Sequence, residues 1–301
     1  MVIRRHISID DDRLSSGLRY ALTVVHDLNL AGLDEQITLD LSEVGFVYPS
    51  FVIPLISALR RAKFTGHDVT VLHCPTYLKS IGFDKLGVQS ADMRKSEFIA
   101  FMESYSAKHF IPVVVFPISG SRVDDNGVIF STIDNILGKQ GRIRPNVLSG
   151  IKYILGEITD NVLEHSCGTA GFVFAQLYPK KGYVDICIGD DGITLLGSYR
   201  KSGLGEFASD AEAMKAANSG VSTKNLANAE NRGFGITTTR KMAVAGMGGQ
   251  YIMMSGNAIY MQDKENGEIA SVTDNFRLNG TVVALRVPLE RKEFYYLNYV
   301  E

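Results

Sequence analysis

The sequence has no tryptophan, only three cysteines, and no long hydrophobic run. Cys74, Cys167 and Cys187 form no CxxC pair and cannot all pair with one another, which argues against a disulfide scaffold or a zinc site and fits a reducing compartment. No apolar stretch reaches the ~18 residues that a membrane span needs. The first residues lack the apolar region of a signal peptide. These absences predict a soluble, cytoplasmic protein that does not contact a membrane.

An excess of charge of either sign is also missing. Thirty-one basic and thirty-three acidic residues leave a formal net charge of −2, and no basic or aromatic stripe stands out, so we expect no nucleic-acid partner. An apolar content of 45% is sufficient for a buried core. A length of 301 residues allows two domains, at roughly 150 residues each.

The first 88 residues alternate strand and helix patterns. The predicted elements are an extended start at Ile7 and Ile9, a helix over 13–31, a strand over 37–41, a helix from Ser50 to Ala62, a strand over 68–74 and a short helix from Thr76. Strands separated by helices imply crossover connections and a partly parallel sheet. Residues 89–108 are mixed and charged, as in a linker or boundary helix, and 110–118 form an apolar strand.

A long amphipathic helix is predicted from Pro145 to about His165. Its apolar positions lie in one narrow stripe, and Glu157, Asn161 and His165 follow one another at i, i+4 and i+8 along the margin of that stripe. This row could simply form hydrogen bonds to neighbouring loops. Alternatively, Glu157 orients a water beside an Asn161 amide oxygen that ligates Mg²⁺, a cation that needs few protein ligands when phosphates are present.

The strand predicted over 183–190 ends in a carboxylate on its buried side. Asp190 shares the parity of the apolar residues before it, and a buried carboxylate is costly unless a group donates to it. An exocyclic purine amine is one such donor, and Gly192 would let a ligand or backbone come close. The alternative is a turn in which Asp190 and Asp191 accept backbone N–H bonds.

Glycines mark two further segments. Gly233 and Gly235 precede a helix predicted over 236–245, where backbone N–H groups and the helix N-terminus could approach an anion. A chance pair is also expected in a chain with 29 glycines. Gly280 begins a turn before a strand that ends near 289. Between these motifs, 197–232 is rich in small residues, as functional lids often are.

The order of these motifs resembles the GHKL (Bergerat-fold) ATPases, which include gyrase B, heat-shock chaperones, histidine kinases and MutL-type repair proteins. The motifs are E-x-x-D-N-x-x-x-H (Glu157, Asp160, Asn161, His165), D-x-G (Asp190, Gly192), R-G-x-G (Arg232, Gly233, Gly235) and G-T (Gly280, Thr281). The chain looks most similar to anti-sigma-factor serine kinases. The resemblance covers about 145–290 and implies a two-layer α/β sandwich, a mixed sheet packed on helices.

The resemblance also implies roles for individual residues. Glu157 matches the general base, Asn161 the Mg²⁺ ligand, Asp190 the acceptor of the adenine amine, and Gly192 the glycine after it. The implied ATP contacts near the lid and the base are Thr194, Lys224, Gly233, Phe234, Gly235 and Thr281. Thr194 stands where the family usually has a second glycine, which affects how the lid hinges. Glu164 replaces a lysine common in histidine kinases, so that activity is not expected.

Residues 1–88 resemble a STAS domain, the fold of anti-sigma-factor antagonists. The Asp-Ser-Ser-Gly turn of that family corresponds to 48–51, where only Ser50 remains, either as a helix cap or as a phosphate acceptor. We therefore expect an α/β protein with a STAS-like domain over 1–88, a linker over 89–108 and a GHKL domain over 109–301.

The combined expectation is a regulatory protein that binds ATP and Mg²⁺. It would hydrolyse ATP slowly or transfer phosphate to a protein serine. The alternative is a switch without catalysis, in which ATP orders the segment 195–232 and the ordered surface binds a regulatory protein. The resemblance leaves a homodimer open.

Overall fold

A computed structural model describes residues 1–9, 11–32, 35–204, 206–221, 234–263 and 267–300. For Phe234 it describes the backbone alone. Two predicted ATP contacts, Lys224 and Gly233, lie outside these ranges, as does Arg232. Among the described residues no helix combines the length and the apolar character needed to cross a membrane.

Over residues 1–80 the helices and strands follow the order that the sequence patterns predict, whereas the helices Asn126–Lys139 and Asp210–Asn218 are not predicted. The helices are Leu14–Asn29 (α1), Pro49–Phe64 (α2), Thr76–Ser80 (α3), Lys95–Glu103 (α4), Asn126–Lys139 (α5), Pro145–His165 (α6), Leu195–Ser202 (α7), Asp210–Asn218 (α8) and Phe234–Lys241 (α9), which continues into a π-helical turn, Met242–Gly246. The strands are Val2–Arg4 (β1), Ile37–Asp40 (β2), Val69–Leu72 (β3), Val88–Gln89 (β4), Val114–Pro117 (β5), Ala170–Tyr178 (β6), Tyr183–Asp190 (β7), Gln250–Gly256 (β8), Ala258–Gln262 (β9), Gly267–Ser271 (β10) and Leu278–Pro288 (β11).

The first three strands form a small parallel sheet in the order β1-β2-β3. Helices α1 and α2 are its crossover connections, which confirms the partly parallel sheet that the sequence predicts. The predicted extended start at Ile7 and Ile9 is wrong in position, because β1 is Val2–Arg4 and Ile7 makes only an isolated bridge to Val44.

The other eight strands form one mixed sheet in the order β10-β9-β8-β11-β7-β6-β5-β4. Only β4 and β5 run parallel, and the remaining neighbours are antiparallel. The segment 89–108, predicted as a linker or boundary helix, contains α4. Its Phe98 and Met102 are buried in one core with α5 and α6.

Helices cover both faces of this eight-stranded sheet, because the central strands are apolar on both sides. Along β11, Val282 and Ala284 point into a core shared with α1 and α2, whereas Val283 and Leu285 point into a core shared with α5 and α6. The described chain is thus layered as small sheet, α1 and α2, large sheet, and α5, α6 and α9. This confirms an α/β fold with a mixed sheet packed on helices.

Helix α2 differs from its prediction in its first residue and in the role of Ser50. It begins at Pro49, and Ser50 is buried (1% exposed), with its hydroxyl donating to the Leu14 carbonyl at 2.8 Å. Ser50 therefore does not cap the helix; it ties α2 to α1, where a side chain in place of Gly17 would collide with its Oγ. Pro54 is the sixth residue of α2 and removes one interior N–H donor.

Candidate functional site

A cavity of about 260 Å³ lies between α6, α7, α9 and the ends of β7, β8 and β11. Six of the predicted site residues line it: Glu157, Asn161, Asp190, Thr194, Gly235 and Thr281. Its remaining walls mix apolar and polar side chains. The apolar ones include Ile158, Ile188, Ile236, Met253 and Val283, and the polar ones are Asp160, His165, Ser166, Ser198, Thr238 and Thr239, together with tyrosines. A cavity with apolar walls and a few converging polar groups is the usual form of a small-molecule site.

Helix α6 contributes the first polar edge. It begins at Pro145 and ends at His165, as predicted, and Glu157 and Asn161 are half-buried one turn apart. Tyr153 lies one turn before Glu157 on the same row, and its hydroxyl donates to the Glu157 carboxylate. Burial first, and then the nearby Glu157 charge, raise the pKa of Tyr153 to about 12. Tyr153 therefore stays a neutral donor that holds Glu157 in place at neutral pH.

Asp190, the last residue of β7, contributes a second polar group to the lining. Its side chain is buried (2% exposed), Oδ1 accepts a hydrogen bond from the Gly192 N–H at 2.8 Å, and Oδ2 accepts one from the Thr281 N–H at 3.2 Å. Burial raises the pKa of Asp190 to about 7, although the two backbone donors oppose this rise. The site thus contains an oriented acid that ionises near neutrality, a property found more often in functional sites than elsewhere.

A β-bulge in β11 places the backbone against Asp190. The pairing with β8 shifts register between Leu278 and Thr281, and Gly280 within that shift has φ +77°. A Cβ on Gly280 would lie 2.3 Å from the Asp190 carbonyl oxygen. Only glycine fits this position, because it provides both the left-handed conformation and the close approach. The bulge turns the Thr281 N–H toward the carboxylate, and the Thr281 hydroxyl bonds with Ser255 at 2.9 Å.

The turn after β7 is built by packing against the end of α6. A Cβ on Gly192 would lie 2.0 Å from the Ser166 carbonyl oxygen, so Gly192 permits a backbone contact; it packs beside the cavity and is not one of its lining residues. Asp191 accepts hydrogen bonds from the backbone N–H groups of Thr169 at 2.7 Å and Ala170 at 3.0 Å. The turn that the sequence offers as the alternative is therefore formed by both residues, since Asp190 also accepts the Gly192 N–H. Asp190 in addition lines the cavity.

Thr194 starts the segment that the sequence marks as a lid. It is the N-cap of α7, with its Oγ1 accepting the Gly197 N–H at 3.2 Å and donating to Asp210 at 3.3 Å. A threonine at this position therefore gives a capped helix where a glycine would give a flexible hinge. Helices α7 and α8 occupy the described part of 195–221, and Tyr199 of α7 reaches the cavity.

Gly235, in the first turn of α9, faces the α6 row. A Cβ at this position would lie 2.7 Å from Glu157 Oε2 and 3.5 Å from Asn161 Nδ2. The absence of a side chain lets the first turn of α9 approach Glu157 and Asn161. The start of a helix carries unpaired N–H groups and partial positive charge, which favour anions.

Two contributions to the site were not predicted from the sequence. Tyr153 continues the row of Glu157, Asn161 and His165 by one turn toward the N-terminus, so the same i, i+4 spacing could have identified it. Ser255 on β8 bonds the Thr281 hydroxyl and accepts the Leu195 N–H at 2.8 Å. Its role depends on the pairing of β8 with β11, which no local pattern indicates.

Comparisons with protein-family models, with curated proteins and with solved structures give no match to this chain. The GHKL and STAS resemblances therefore stay predictions, based on the order of the motifs quoted above.

Proposed function

We propose that this protein binds ATP with Mg²⁺ in the cavity between α6 and the large sheet, as a regulatory protein of the GHKL class with a STAS-like N-terminal domain. The observation that supports this most is the buried carboxylate of Asp190, which is held by two backbone donors in the lining of the cavity. A purine amine is a donor that suits such an acceptor, and the apolar walls suit the flat base.

The part of the cavity that α6 and α9 form suits the phosphates of the nucleotide. Asn161 offers an amide oxygen, and Mg²⁺ is commonly held by one or two protein oxygens together with phosphates and waters. The first turn of α9 at Gly235 offers N–H groups to anions. The cavity therefore offers an acceptor for the base at Asp190, and groups for Mg²⁺ and the phosphates at Asn161 and Gly235.

In this proposal Glu157 acts as the general base beside the phosphates. Its carboxylate accepts a hydrogen bond from Tyr153 on one side, and its Oε2 lies against Gly235 on the other. In the proposed reaction it takes the proton of an attacking water or serine hydroxyl, and the γ-phosphoryl group passes to that oxygen. Positioning of this kind supports slow hydrolysis or phosphotransfer.

The test separates turnover from binding. We expect Glu157→Gln to retain Mg-ATP affinity within about threefold and to lower phosphate release at least about a hundredfold, the usual minimum contribution of a general base. Lys152→Gln, an exposed change on the same helix at a residue outside the cavity lining, is the control and should leave both values unchanged. Wild-type turnover in Glu157→Gln would exclude this role.

A switch without catalysis is the second candidate, favoured by the position of α7 and α8. Tyr199 and Leu196 of α7 form a separate small core with Ala213 and Ala217 of α8, and Tyr199 also borders the cavity. A bound nucleotide could therefore order this helix pair directly. Slower amide exchange in α7 and α8 with Mg-ATP, combined with no measurable turnover, would favour this function over catalysis.

A further inference from the structure

Helix α2 contacts the inner end of the cavity from the opposite face of the large sheet. The hydroxyl of Ser57 donates a hydrogen bond to the backbone carbonyl of Asp190 at 3.0 Å. Ser57 is 1% exposed and Asp190 is 2% exposed, so water does not compete for this bond. The two residues are 133 positions apart in the chain, and the bond joins the N-terminal helical layer to the residue proposed to accept the base.

This bond completes a set of contacts that fixes Asp190. Gly192 and Thr281 hold its carboxylate, and Ser57 holds its carbonyl from the α2 side. The Asp190 carbonyl belongs to the peptide that leads into the turn after β7, and this turn presents the Gly192 N–H to the Asp190 carboxylate. A rotation of that peptide would therefore displace one of the two donors of the carboxylate. Ser57 restricts that rotation at the end of the strand.

A second polar side chain of α2 lies beside the same turn. Arg60, one helical turn after Ser57, is half-buried, and its guanidinium lies 5.6 Å from the Phe172 ring centroid. Its Nε is buried without a hydrogen-bond partner among the described residues. The attraction of Asp191 opposes the effect of burial, which lowers the pKa of Arg60. The neighbouring α2 residues Ile53 and Ile56 are buried in the apolar core, where polar groups are costly.

We propose that Ser57 is a positioning residue for nucleotide recognition, through which the N-terminal helical layer sets the affinity of the cavity for an adenine base. This inference rests on the proposed function. Coupling of this kind is reciprocal: a nucleotide that bonds to Asp190 also strengthens the packing of α2 on the large sheet.

The experiment compares two serines on one helix. Ser57→Ala removes the donor to Asp190, whereas Ser50→Ala removes an equally buried hydroxyl that bonds to α1 two turns away. Each variant of the full chain is titrated calorimetrically with Mg-ATP and with Mg-ITP, in which a keto oxygen replaces the exocyclic amine. Unfolding temperatures of both variants are measured in parallel.

We expect Ser57→Ala to weaken ATP binding about three- to tenfold, the effect of one lost hydrogen bond, and to leave ITP binding unchanged. Ser50→Ala should keep the ATP to ITP affinity ratio of the wild type, even if it lowers the unfolding temperature as much. An unchanged ratio in Ser57→Ala, or an equal change in Ser50→Ala, would overturn the inference. If the wild-type protein binds neither nucleotide, the proposed function itself fails.

Discussion

Asp190 combines burial, two backbone donors to its carboxylate and a place in the cavity lining. Burial disfavours the charged form, which raises its pKa from 3.8 to about 7. In the proposed complex, the amine of the base replaces part of the hydration that the carboxylate lost on folding. Nucleotide binding should therefore favour the ionised form of Asp190 and lower its pKa.

This shift predicts a pH dependence of binding. Between pH 6 and pH 8 the fraction of ionised Asp190 rises about tenfold for a pKa near 7, so ATP affinity should rise by up to about that factor. Calorimetry near pH 6.5, in buffers of different ionisation enthalpy, should show proton release on binding that is absent in Asp190→Asn. Identical proton release in that variant would assign the effect to another group, such as the phosphates of ATP.

The raised pKa of Asp190 also makes the stability of the fold depend on pH. Stability falls as the pH rises, whereas the expected ATP affinity increases. Since the folded-state pKa of about 7 lies above 3.8, the folded chain retains a proton between these values that the unfolded chain has released. The contribution of Asp190 to stability is therefore complete below pH 3.8 and is lost as the pH rises to about 7. Asp190→Asn should reduce this loss, which chemical denaturation at several pH values measures.

At the scale of elements, the sequence predicts the helices and strands that have a regular apolar pattern and a clear starting residue such as proline. Helix α6 begins and ends as predicted because proline is favoured in the first turn and the apolar stripe is regular. The parity of β7 correctly places Asp190 on the side of Ile186 and Ile188. The bulge at Gly280 and the contact from Ser57 depend on strand pairing and layer packing, which bring together residues far apart in the chain.

The bulge in β11 provides a prediction with a matched control. Gly280→Ala adds a Cβ that would lie 2.3 Å from the Asp190 carbonyl oxygen, whereas Gly182 has the same φ of +77° and open space around it. Both alanine variants carry backbone strain of about 1–3 kcal/mol. Only Gly280→Ala should lose additional stability and most of its ATP affinity, as measured by denaturation and titration. Equal losses in the two variants would mean that strain alone explains the glycine.

At the scale of the whole molecule, helices α1 and α2 pack on the face of the large sheet opposite α5 and α6. Phe172 and Phe174 of β6 and Met254 of β8 are buried against the layer that α1 and α2 form. A buried ion pair reinforces this contact: Arg286 donates to Asp185 at 2.7 Å twice, and to the Asp12 carbonyl at 2.7 Å. The two predicted domains, 1–88 and 109–301, therefore share one core.

This shared core predicts that the second domain will not be stable alone. A chain of 109–301 would expose a contiguous apolar sheet face, and exposed patches of that kind favour aggregation. We expect it to aggregate or to bind a hydrophobic dye, and to bind ATP poorly, in light scattering, dye and titration measurements. A monomeric 109–301 chain with the ATP affinity of the full protein would show that the N-terminal layer is dispensable.

The central claim is that the cavity binds an adenine nucleotide through Asp190. Calorimetric titration of the full chain with Mg-ATP, beside the variant Asp190→Ala, tests it most directly. We expect saturable binding with one site per chain in the wild type and a loss of at least about tenfold in affinity in the variant, because an unpaired polar group at a recognition site costs 1–3 kcal/mol. No heat of binding in the wild type, or equal affinity in the variant, would contradict the account.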